Sequence, residues 1–242
     1  MGWLSKPVPA KPASAPTQDE QPASPLPPQA SVDQVHTGSK QERRESTPDR
    51  KGHVEIPGLP QNAELRECRK EDIKSFKRLN SLLLPIPYGD SFYREILEDE
   101  VTRNITLMAL WHDQVTSDGE GRGTLVGAIR CRLLANFPGA AASAPRKEGP
   151  MLYLSTLVLL SPYRGHGIAA KMLDVMVRRA VNDYGVGSVG AHVWEANEEG
   201  LAWYRKRGFK EIGVEEGYYR RLKPQGAVVM LKEIGVRDLL PD

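Results

Sequence analysis

Large apolar residues are scarce before residue 60 and recur in short, separated bursts after it. From Glu64 to Cys68 polar and apolar positions alternate, the period of a half-buried strand. Glu71 to Leu84 then sets Ile73, Phe76, Leu79, Leu82 and Leu83 on one face of a helix. Pro85-Ile86-Pro87 must end it, because proline cannot donate into the next turn and restricts the residue before it. Asp90 is expected to cap a second helix running to about Asp99, with Phe92, Tyr93, Ile96 and Leu97 inward. Strands are predicted over Ile105–Trp111 and Thr124–Leu134, divided by a polar, glycine-rich turn at 112–123 and followed by a flexible loop at 135–150.

Met151–Leu160 reads as an apolar strand interrupted by Ser155 and Thr156. A short turn through Pro162 and Arg164 leads into Gly165-His166-Gly167, and a helix runs to about Asp183 with Met172, Leu173, Met176 and Val177 buried. Val189–Trp194 is a strand, and Asn197–Lys206 a helix closed by Gly208. Phe209–Glu215 and Ala227–Lys232 are strands joined by a loop at 216–226. The order β-α-α-β-β-β-α-β-α-β-β contains two β-α-β passages, which argue for parallel strands at the centre of a mixed α/β fold and antiparallel ones beside them.

Composition divides the chain of 242 residues. Residues 1–60 hold 11 of the 19 prolines and few large apolar side chains. That segment cannot offset its ordering entropy and is expected to be a disordered tail. Its charges cancel, so a flexible spacer is expected, with a partner-docking tail as the alternative. The globular domain is expected over 61–235, with 236–242 a second tail. A net charge of +2 from 33 basic and 31 acidic residues does not suggest nucleic-acid binding. No run of 18 apolar residues offers a membrane span, and no apolar segment near the start reads as a secretory signal. Lys6 occupies the position where a myristoylation signal needs Ser or Thr. Two distant cysteines, Cys68 and Cys131, suit a reducing setting, cytoplasmic and in some circumstances nuclear. His36, His53, His112, His166 and His192 have no Cys or His partners at ligand spacing, so no metal site is expected.

The segment Arg164–Ala170 carries the strongest chemical signal. A tight turn between a buried strand and a helix leaves backbone N–H groups unpaired at the positive end of the helix dipole. Small residues at Gly165, Gly167, Ala169 and Ala170 let an anion approach, and Arg164 adds a cation. A plain strand–helix turn would give the same pattern. Gly165-x-Gly167-x-x-Ala170 also matches a loose dinucleotide fingerprint, with Glu195 at a ribose-binding position, but the chain ends two strands later.

Arg164-x-x-Gly167-x-Ala169 resembles the pyrophosphate loop of the GCN5-related N-acetyltransferase superfamily. Asn197 through Tyr204 to Gly208-Phe209 resembles that superfamily's second signature, at matching order and spacing. Arg78-Leu79-Asn80, Leu84-Pro85-Ile86-Pro87-Tyr88-Gly89-Asp90-Ser91-Phe92-Tyr93, Leu152-Tyr153-Leu154-Ser155-Thr156-Leu157, Ala191-His192-Val193 and Tyr218-Tyr219-Arg220-Arg221-Leu222-Lys223-Pro224 resemble the San-type N-terminal acetyltransferases, the catalytic subunits of the NatE activity. The likeness covers roughly Leu65 to Glu233. It implies a twisted seven-stranded mixed sheet flanked by about four helices. It also implies acetyl transfer from acetyl-CoA to the α-amine of Met-starting, often Met-apolar, polypeptides, and docking on the NatA complex at the ribosome. Leu84 and Ile86 stand where the family is expected to carry Phe and Val, so the pocket should keep its apolar character with a changed shape.

By the same resemblance Leu157, Val158, Leu159, Arg164, Gly165, His166, Gly167, Ile168, Ala169, Ala170, Asn197, Tyr204 and Lys206 would contact the cofactor. Leu84, Pro85, Ile86, Tyr88, Tyr153, Tyr218, Tyr219 and Leu222 would form the peptide slot. Tyr153 and His192 would act together as bases through a bound water, and Tyr204 would donate to the leaving thiolate or pack on the pantetheine arm. The chemistry is consistent with this. With a pKa of about 7.7–8.0, roughly a tenth of α-amines are neutral at pH 7, against about one lysine in a thousand or fewer. A modest base such as His192 therefore suffices. A lysine or small-amine acetyltransferase and a non-catalytic NatA subunit stay open as alternatives.

Overall fold

The computed structural model describes residues 56–113, 123–135 and 149–239. Of the tail expected over 1–60, residues up to 55 lie outside the described residues, as do the loop segments 114–122 and 136–148, whereas Leu59 packs against the core. Along the chain run β1 (Ala63–Glu67), α1 (Ile73–Leu83), α2 (Asp90–Glu98), α3 (Glu100–Asn104), β2 (Thr106–Trp111), β3 (Thr124–Leu134), β4 (Met151–Leu159), α4 (Ile168–Tyr184), β5 (Ser188–Trp194), α5 (Glu198–Arg205), β6 (Lys210–Glu215) and β7 (Ala227–Glu233). The strands form one seven-stranded sheet in the order β1-β2-β3-β4-β5-β7-β6. Among the described residues its one parallel pairing is β4 with β5, joined by the α4 crossover. The second β-α-β passage does not pair its own strands, because β7 folds back and inserts antiparallel between β5 and β6.

Strict alternation loads both faces of the central strands. Leu107 and Ala109 of β2 join Ile129, Leu152, Met172 and Met176 under α4. Their neighbours Met108 and Leu110 join Phe76, Phe92, Ile96 and Val158 under α1 and α2. Successive strand side chains point to opposite faces, so a strand buried on both sides reads as a continuous apolar run. Phe76 and Ile96 are fully buried, and cutting either to alanine should cost about 2–5 kcal/mol through lost burial and the cavity left behind.

Several local expectations change. Asp90 is the first residue of α2, not its cap; Gly89 holds that place, and the Asp90 carboxylate pairs with Lys77 at 2.7 Å. It still favours the positive end of the α2 dipole. The short α3 was not expected; Asp99 caps it by accepting from the Thr102 amide at 2.7 Å. Residues 236–238, expected as tail, form a 3-10 turn held by Asp238, which accepts from Gly235 N–H and pairs with Lys232 at 2.6 Å. Among the described residues no helix is long and apolar enough to cross a membrane.

Candidate active site

The parallel ladder between β4 and β5 lasts three pairs, Met151–Ser188, Leu152–Val189 and Tyr153–Gly190. Beyond Tyr153 no pairing joins the two strands, and a cleft of about 770 Å³ lies there between their carboxyl halves. Ligands of α/β sheets collect at such openings, because backbone groups that have lost their ladder partners face them.

At one end of the cleft stands the glycine-rich turn. Gly165 and Gly167 both have φ of +80°, a left-handed conformation that glycine adopts without a steric penalty. Gly167 is the residue that enters α4, and the N–H groups of Ile168, Ala169 and Ala170 belong to its unpaired first turn. Leu157, Val158, Leu159, Arg164, Ala169 and Ala170 line this end, as do Asn197, Tyr204 and Lys206 from the α5 side. These N–H groups suit a diphosphate. The Arg164 guanidinium donates to the Leu159 carbonyl and pairs with the exposed Glu199 at 3.0 Å. Exposed pairs are worth about 0–1 kcal/mol, so a phosphate can exchange for Glu199 at little cost.

At the middle of the cleft Tyr153 and His192 meet. The Tyr153 hydroxyl lies 3.0 Å from His192 Nδ1 and 3.1 Å from the Tyr218 hydroxyl, and His192 Nε2 lies 2.9 Å from a Glu215 carboxylate oxygen. The carboxylate can only accept, so Nε2 carries the proton and Nδ1 accepts from Tyr153. Tyr218 in turn donates to the Tyr153 oxygen. Burial holds the His192 pKa below its ordinary value, opposed in part by Glu215. It raises the Tyr153 phenol well above 10 and also raises Tyr218, so both keep their protons at neutral pH. The 3.0 Å contact brings the two expected bases together in one hydrogen-bonded pair.

A profile for acetyltransferases of the GNAT family matches residues 73–209. The chain is 32% identical over 171 residues to N-alpha-acetyltransferase 50 of Danio rerio, covering 71% of this chain and 88% of that relative. The chain belongs to the GNAT acetyltransferase family, in its San-type branch. A probable N-acetyltransferase san of Drosophila melanogaster is 30% identical over 71% of this chain and 80% of its own length. Naa50 of Arabidopsis thaliana, solved with the bisubstrate analogue CoA-Ac-MVNAL, superposes with a TM-score of 0.56 at 26% identity, over 72% of this chain and 99% of that one.

The far end of this GNAT cleft is aromatic. Leu84, Pro85, Ile86 and Tyr88 approach from the loop after α1, and Tyr218 and Tyr219 from the loop before β7. Tyr88 stacks on Phe92 with centroids 3.9 Å apart and donates its hydroxyl to the Ser155 carbonyl. Ser155 is the residue passed over where the β3–β4 register shifts, so its carbonyl is released from the ladder. Tyr219 donates to the His192 carbonyl at 3.3 Å.

Two expected contacts fall elsewhere. The His166 ring turns toward Trp111, centroids 6.2 Å apart, and does not line the cleft. Leu222 is likewise outside the lining; its N–H donates to the Tyr219 carbonyl and holds the turn that presents the two tyrosines. Asn197 lines the cleft, but its side chain caps α5 by accepting from Gly200 N–H at 3.0 Å. Glu215, Arg132 and Phe92 were missed. Glu215 had a signal only in three dimensions, since 23 residues separate it from His192. Among the described residues no group of three or more His, Cys, Asp or Glu is placed to hold a metal.

Proposed function

We propose a division of labour along the cleft for transfer of an acetyl group to a protein N-terminus. The chain is an acetyl-CoA-dependent N-terminal acetyltransferase. The glycine turn and the first amides of α4 take the diphosphate of coenzyme A, and the backbone near Leu157 polarises the thioester carbonyl. A neutral α-amine enters between Tyr88, Tyr218 and Tyr219 and attacks the carbonyl carbon. Its surplus proton passes through a bound water to the Tyr153 oxygen while the Tyr153 proton passes to His192 Nδ1. Because the Tyr204 phenol keeps its proton, it donates a hydrogen bond to the departing thiolate.

The observation that carries this reading is the Tyr153–His192 contact at the point where β4 and β5 part. Apolar side chains at Leu84 and Ile86 support a preference for an initiator Met followed by an apolar residue. Two buried free cysteines and the San-type likeness support work in the cytoplasm beside the ribosome, docked on NatA. The test is acetyl transfer to a panel of N-terminal peptides and internal-lysine controls. Met-Leu peptides acetylated well ahead of lysine controls are expected; equal or better use of lysine contradicts the reading.

A further inference from the structure

The edge strand β6 is irregular where it nears the site. Its pairing with β7 shifts between Glu211 and Gly213, so Gly213, Val214 and Glu215 face Val229, Val228 and Ala227. Val229 also faces His192 from the other side. Directly opposite residues share a sheet face, which places Gly213 and Glu215 on the face of His192. Without the extra residue Ile212 and Val214 would hold those positions, and Glu215 would turn to the opposite face. The irregularity leaves Ile212 44% and Val214 56% exposed, apolar surface the regular register would direct toward the site. A bulge of this kind re-aims one side chain.

We propose that Glu215 is a positioning residue that completes a carboxylate–imidazole–phenol relay with His192 and Tyr153. The inference rests on the reading of Tyr153 and His192 as the proton acceptors. The imidazole is 1% exposed, and its two nitrogens lie 2.9 Å from Glu215 and 3.0 Å from Tyr153. Tyr153 and Tyr218 face the ring as neutral hydroxyls, Tyr219 binds the backbone carbonyl of His192, and Val229 is apolar, so Glu215 brings the charge. The carboxylate fixes the tautomer that leaves Nδ1 open and stabilises the imidazolium once the Tyr153 proton arrives. The path run backwards returns that proton through Tyr153 to the departing thiolate. The amine loses one hydrogen, coenzyme A gains one, and the three groups regain their starting state.

Glu215→Gln keeps the size and an acceptor but removes the charge. In the full chain, NMR titration of the His192 ring should show its pKa falling on this substitution, because the carboxylate raises it. The acidic limb of the kcat profile should move to lower pH, and kcat near pH 7.5 should drop roughly tenfold, with acetyl-CoA affinity and melting temperature near wild type. Glu215→Gln combined with His192→Ala should be no slower than His192→Ala alone. An unchanged ring titration and acidic limb in Glu215→Gln, or a further rate loss in the double variant, would overturn the proposal. A wild-type chain that binds acetyl-CoA and transfers nothing, with the ring shift intact, counts against the underlying function and leaves the pairing standing.

Discussion

The phenol ring of Tyr218 lies flat on the imidazole of His192, centroids 4.3 Å apart and planes 7° from parallel. Its hydroxyl meanwhile reaches Tyr153 at 3.1 Å. One side chain thus covers the base and touches its partner. Tyr218→Phe keeps the stack and removes the donor, and should lower kcat only severalfold. Tyr218→Ala also opens the imidazole to water and should cost more than the Phe variant. Steady-state kinetics of the two variants checks the order; equal losses would mean the stack contributes nothing.

At the cofactor end, the left-handed backbone of Gly167 is the sensitive point. Gly167→Val forces a branched side chain into that conformation at about 1–2 kcal/mol and adds bulk at the mouth of the α4 amides. Isothermal titration should show acetyl-CoA affinity reduced by at least tenfold. Unchanged affinity would remove the turn from the cofactor site.

Tyr88 ties the loop after α1 to β4 through the Ser155 carbonyl, and its ring stacks on Phe92, which also carries the Arg130 guanidinium 3.9 Å from its centroid. Tyr88→Phe should raise the KM for a Met-Leu peptide severalfold and leave kcat close to wild type, because the bond shapes the slot and not the chemistry. A fall in kcat without a change in KM would contradict that placement.

The His192 pKa lies below its ordinary value of 6.5, chiefly through burial. The unfolded chain therefore binds the extra proton first, and this residue's contribution to stability is present above pH 6.5 and lost as pH falls through the lowered folded value. The same direction keeps the base neutral at pH 7, so the acidic limb of kcat, read with the peptide amine already bound, should lie below pH 6.5. A pH–rate profile whose acidic limb lies above that value would contradict the assignment.

How far the residue string reaches is visible in particular cases. The alternation of β1 and the apolar run of β4 are local patterns and emerge as strands, while α1 buries Phe76 and Leu79 but leaves Leu82, expected inward, exposed. Gly165 and Gly167 signal a left-handed turn by identity alone, and Tyr153 and His192 sit at motif positions. The place of β7 between β5 and β6 depends on which edge a returning strand finds, which no local period encodes. Glu215 reaches His192 through a one-residue slip of register, and Arg164 reaches Glu199 across 35 residues of chain. The inward turn of Tyr218 and the outward turn of His166 are decided by stacking partners, His192 and Trp111, that lie far away in sequence.

The most direct measurement is single-turnover acetyl transfer to a Met-Leu peptide by the wild type, Tyr153→Phe and His192→Ala, each saturated with acetyl-CoA. Both variants should bind acetyl-CoA like the wild type and transfer about 10²-fold more slowly, as expected when a positioned proton acceptor is removed. Transfer at the wild-type rate by either variant would contradict the proton path between these two side chains.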